Sequence, residues 1–91
     1  MLPLTIGPNA PSGKSTYTML EDVTLTGVVG TLTDNTSDWV AKVGGTIIGF
    51  IHGTASGSGS SFALYIPLKI SLKKGMILTV EGAGTGVFYF S

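Results

Sequence analysis

Residues 61–91, SFALYIPLKISLKKGMILTVEGAGTGVFYFS, decide the fold. Apolar and polar residues alternate through most of this stretch, with the two-residue period of strands that have one face in a core. Glycine-containing breaks divide it at Lys74 and Gly75 and again across residues 82–86, and glycine gives a tight turn the backbone freedom it needs. The stretch therefore predicts three apolar strands joined by two turns. Pro67 cannot donate to a strand ladder, so it marks an edge, a bulge or a break.

The final strand, residues 87–90, carries four large apolar or aromatic side chains in succession. Successive side chains of a strand point to opposite faces, so both of its faces would be apolar. A chain of 91 residues makes one domain with a modest core, and a second subunit is a natural source of the missing layer. We therefore expect an oligomer interface at Ile77, Val87, Phe88, Tyr89 and Phe90.

The upstream sequence predicts further short strands and no helix of consequence. Alternating or β-branched runs occur at residues 16–20, 23–26, 39–43 and 46–52. Gly27 interrupts a strand pattern and suggests a bulge or a bend. Short strands at close spacing are typical of a sandwich or a barrel. The prediction is an all-β chain, a compact antiparallel β-sandwich over residues 15–91, with an extended N-terminal arm and linker over residues 1–14.

Composition argues against several classes of function. Charged residues are 11% of the chain, against about a quarter in an average soluble protein, so we expect both a surface coated with Ser, Thr and Gly and partners that cover part of the apolar surface. Five lysines with no arginine and a net charge of zero leave no basic patch for nucleic acid. The chain has no cysteine and hence no disulfide or thiolate metal site. Its start has no basic region and only a short apolar run, which predicts neither a signal peptide nor a membrane span.

Motifs that carry chemistry are sparse. Residues 7–15, GPNAPSGKS, have one residue too many between their glycines to form a phosphate-binding loop, and a β-branched run follows instead of a helix. His52 is the only histidine, and no nucleophile-elbow sequence is present for it to serve. We therefore expect no enzyme, no catalytic residue and no cofactor.

The most polar loop, residues 34–38, leads directly into Trp39. Asp34, Asn35 and Asp38 could offer oxygens to calcium, but their spacing matches no EF-hand loop, and loops rich in such residues usually cap themselves. Trp39, together with a tyrosine, could form a sugar-stacking platform, although the commoner fate of a strand tryptophan is to anchor the core. Asp34, Asn35, Asp38 and Trp39 are therefore a candidate receptor or sugar site.

The order of features in residues 46–91 matches a known pattern. A loop rich in glycine and serine precedes an aromatic strand at residues 62–66. Then come Leu68, the turn Lys73-Lys74-Gly75, an apolar strand, a turn of small residues and the terminal aromatic strand. This order resembles the C-terminal β-domains of bacteriophage tail-fibre and virion decoration proteins, and more distantly the trimeric jelly roll of the tumour-necrosis-factor and complement-head class. In those folds a lysine-glycine turn precedes the penultimate strand, and the last strand packs near the threefold axis.

The resemblance implies a homotrimeric jelly roll that serves as a structural protein of a phage virion. Such a protein would be a capsid decoration (cement) protein or a knob on a tail or fibre. Its partners would be itself and other capsid or tail proteins, and the arm residues Leu2, Leu4 and Ile6 would bind the particle. The virion would be its location, after assembly in the host cytoplasm. The alternative is a receptor-binding fibre tip or a lectin-like module that contacts a host-surface glycan.

Overall fold

The structure is a computed structural model that describes residues 1–32, 37–53 and 62–91. Within these ranges the chain forms strands and no helix, which confirms the all-β prediction. The strands are β1 (Leu4–Ile6), β2 (Thr16–Thr18), β3 (Val23–Leu32), β4 (Asp38–Val43), β5 (Thr46–His52), β6 (Phe62–Leu72), β7 (Ile77–Gly82) and β8 (Thr85–Phe90).

The strands form two four-stranded sheets. Sheet I has the order β1-β8-β3-β6, and sheet II has the order β2-β7-β4-β5. Every pair of neighbouring strands is antiparallel. The inward faces of both sheets contribute to one hydrophobic core, with Val28 and Phe88 from sheet I and Leu78 and Val80 from sheet II among its fully buried members. Each sheet thus covers the apolar face of the other.

The C-terminal stretch forms three strands and two turns, as its alternation predicts. β6 runs through Pro67 without a break and is an edge strand of sheet I. Pro67 lies opposite Gly27, where the register of β3 shifts between Leu25 and Gly27. An edge position and a bulge are the two places where a missing N–H is tolerated in a sheet. The structure therefore confirms an edge strand at Pro67 and a bulge at Gly27. β6 has no break at Pro67.

Trp39 stands at the centre of the core, and two glycines of sheet I make room for it. Its indole is fully buried, and its Nε1 donates a hydrogen bond to the Thr85 carbonyl oxygen at 2.8 Å. A Cβ on Gly30 would lie 2.8 Å from the indole, and one on Gly86 would lie 3.3 Å from it. The sheets can close over the ring only because those two positions lack side chains. Trp39 is therefore the anchor of the core.

The turn between β7 and β8 requires glycine twice. Gly82 has φ +88 and Gly84 has φ +99, in the left-handed region that favours glycine. The backbone carbonyls of Asp38 and Thr31 occupy the places where a Cβ would stand on Gly82 and Gly84 respectively. The turn is shorter than the five residues that the sequence suggests, because its outer members already belong to β7 and β8. This fit fixes the start of β8 against both sheets.

The first fourteen residues do not form a detached arm. β1 pairs with β8 and places Leu4 opposite Phe88. Ile6 is buried in the core and Leu4 packs against it, so the prediction that Leu4 and Ile6 bind a particle is wrong. Three residues of antiparallel pairing with β8 and the burial of Ile6 in the core place this short segment in sheet I. Leu2, which is 84% exposed, remains a predicted contact.

A reciprocal pair of hydrogen bonds fastens the loop that follows β1. The Asn9 backbone N–H donates to the Gly84 carbonyl oxygen at 3.1 Å, and the Gly84 N–H donates to Asn9 Oδ1 at 2.7 Å. Ala10 is buried beside this contact. The stretch that resembles a phosphate loop is thus a folded turn that packs on the β7–β8 turn.

Candidate functional site

The two sheets differ sharply in charge. In the described part of the chain, the strands of sheet I carry one charged residue, Lys69, whereas those of sheet II carry Asp38, Lys42 and Glu81. The charges of sheet II are paired: Lys42 Nζ lies 2.8 Å from Glu81 Oε1, and His52 Nδ1 lies 2.8 Å from Asp38 Oδ1. A surface that faces water normally carries interspersed charges. Sheet II has such a surface, whereas the strands of sheet I carry almost no charge.

The register of three strands assembles an uncharged patch on the outer face of sheet I. Val29 of β3 lies between Tyr65 of β6 and Val87 of β8. Its neighbour Val28 is fully buried, so Val29 and its two partners point away from the core. Tyr89 follows two residues after Val87 on the same face, and Tyr65 and Tyr89 are exposed. We call this patch the tyrosine face and define it as Val29, Tyr65, Val87 and Tyr89.

The ring of Tyr65 is held in place by the bulge in β3. A Cβ on Gly27 would lie 2.7 Å from Cε1 and 2.8 Å from Cζ of Tyr65. The ring therefore packs directly on the backbone of β3, an approach that only glycine permits. An aromatic ring that covers a sheet glycine also stabilises the strand pairing.

The residues predicted for the oligomer interface lie in three different places. Val87 and Tyr89 belong to the tyrosine face. Phe88 is fully buried, and Phe90 is partly buried against the core, so the prediction that these two phenylalanines contact another subunit is corrected. The alternation of β8 directs its even-numbered residues into the chain's own core. Ile77 is exposed, but it lies on β7, on the outer face of sheet II.

The sequence alone does not indicate that Val29 and Tyr65 belong to this patch. In the sequence, Tyr65 is an aromatic residue on the more polar side of the alternating run at residues 61–66. Val29 lies between two glycines, Gly27 and Gly30, which interrupt the alternation. Only the register of β3 against its two neighbours places these residues beside Val87.

The candidate receptor or sugar site is not assembled by the residues that the structure describes. Asp34 and Asn35 lie outside the described residues. Trp39 has no exposed ring face, so its use as a sugar-stacking platform is wrong. Asp38 Oδ1 is engaged by His52 and by the Gly53 N–H at 3.3 Å, which lie at and just after the end of the neighbouring strand β5 and not within the loop.

The described residues were also compared with the requirements of a metal site and of a membrane-spanning helix. No group of three or more histidine and acidic side chains is placed to hold a metal ion within residues 1–32, 37–53 and 62–91. The same ranges contain no helix with the length and apolar character to cross a membrane.

Comparison with known proteins finds no relative. No protein-family model matches the chain, and no curated protein or solved structure is significantly similar to it.

Proposed function

We propose that this chain is a non-enzymatic structural protein of a bacteriophage virion and that it assembles as a jelly-roll homotrimer. It acts as a decoration (cement) protein on the capsid or as a knob on the tail or fibre, where it contacts other virion proteins. The observation that carries the proposal is the tyrosine face, an apolar and nearly uncharged sheet surface on a small chain. The phage setting follows from the resemblance of residues 46–91 to tail-fibre and decoration proteins.

The strand pairing supports a jelly roll. β1 pairs with β8, β2 with β7, β3 with β6, and β4 with β5. These pairs are nested, as in one long hairpin whose two arms run from the chain ends to the β4–β5 turn. The additional pairs β3·β8 and β4·β7 arise when that hairpin is rolled into two sheets. Two four-stranded sheets built in this way are the arrangement of eight-stranded jelly rolls.

The size of the chain supports association through this surface. Association costs roughly 4–15 kcal/mol in lost translational and rotational freedom. Burial of apolar surface contributes roughly 25 cal/mol per Å², so about 400 Å² offsets a cost near the middle of that range. The chain exposes 4935 Å² in total, and the tyrosine face with its uncharged surroundings on sheet I is the surface we propose for this contact. A self-association contact here meets no like-charge repulsion, because the face carries no charge.

Reconstitution on virions tests this function. We expect purified virions to contain the chain in many copies, and stripped particles to rebind the purified protein. Val87→Asp places a charge on the tyrosine face and is expected to be monomeric and to rebind weakly. Thr18→Asp places the same charge on the exposed β2 strand and is expected to rebind like the wild type.

Three results would count against the proposal. Virions that lack the chain would refute the structural role. Full rebinding by Val87→Asp would refute the role of the tyrosine face. Binding to host cells or to arrayed glycans, in place of particles, would favour the receptor-binding alternative.

A further inference from the structure

We draw no further inference here: the strongest candidate, the surface patch on the outer face of sheet II where the parallel rings of Phe50 and His52 lie beside the Asp38 carboxylate, carries nothing because no contact among the described residues shows what covers it.

Discussion

Replacement of Gly30 by alanine tests how closely Trp39 fills the core. The added Cβ would lie 2.8 Å from Cζ2 of Trp39 and 2.9 Å from Cδ1 of Ile51, well inside the optimum of roughly 3.5–4.0 Å between carbons. Overpacking of this kind typically costs about 1–3 kcal/mol. Alanine also lowers the conformational entropy of the unfolded chain, which stabilises the folded state by about 0.4–1 kcal/mol. We therefore expect Gly30→Ala to lower the free energy of unfolding by about 1–2 kcal/mol.

A second substitution, Trp39→Phe, tests whether that loss of stability arises from the contact between residue 30 and the indole. Trp39→Phe leaves a smaller ring beside residue 30 and removes the donor to the Thr85 carbonyl. The lost hydrogen bond and the cavity together are expected to cost about 2 kcal/mol or more. Contacting residues couple by about 0.5–3 kcal/mol. In the Trp39→Phe background, Gly30→Ala should therefore cost at least about 1 kcal/mol less than in the wild type.

Urea unfolding followed by far-ultraviolet circular dichroism provides the assay. All variants are compared at one protein concentration, because association makes apparent stability depend on concentration. Gly75→Ala is the control, because its Cβ would meet nothing within 4 Å. Its φ of +94 gives the substitution a backbone cost of about 1–2 kcal/mol. That cost should be the same with Trp or Phe at position 39. An equal cost for Gly30→Ala with and without the indole would refute this account of the core.

Three further substitutions test other parts of the fold by the same unfolding assay. Asn9→Ala removes the acceptor of the Gly84 N–H and is expected to cost about 1–2 kcal/mol; unchanged stability would show that this contact does not hold the N-terminal loop. Gly84→Ala is expected to cost more than Gly75→Ala, because the Thr31 carbonyl occupies its Cβ position, and equal costs would contradict that close approach. Lys42→Met breaks the partly exposed pair with Glu81 and should cost no more than about 1 kcal/mol, so a loss above about 2 kcal/mol would show that the pair is stronger than its exposure implies.

The local features of the fold could be predicted from the sequence. Alternation over residues 61–91 predicts β6, β7 and β8 because one buried face imposes a two-residue period on each strand. Pro67 and Gly27 each indicate an irregularity, since one lacks an N–H and the other a side chain. That these irregularities lie opposite each other could not be predicted, because the pairing joins distant parts of the chain.

The surface features depend on such pairings, which the sequence does not reveal. Residues 87–90 suggested a strand that a partner must cover on both faces, but Phe88 fills the chain's own core, and only Val87 and Tyr89 reach the outer face of sheet I. β1 is three residues long, too short to show a period, so its place beside β8 was missed. Trp39 could be assigned either to the core or to a sugar site until Gly30 and Gly86 were found against its ring.

The molar mass of the purified protein tests the central claim most directly. Light scattering coupled to size exclusion, repeated over a dilution series, measures that mass without any assumption about the partner. The proposed homotrimer predicts a stable species of three times the 9.3 kDa mass of one chain, and a contact through the tyrosine face predicts that this mass falls to that of one chain in Val87→Asp. A wild-type protein with the mass of a single chain at every concentration would contradict the claim, because the uncharged face of sheet I would then be exposed to water.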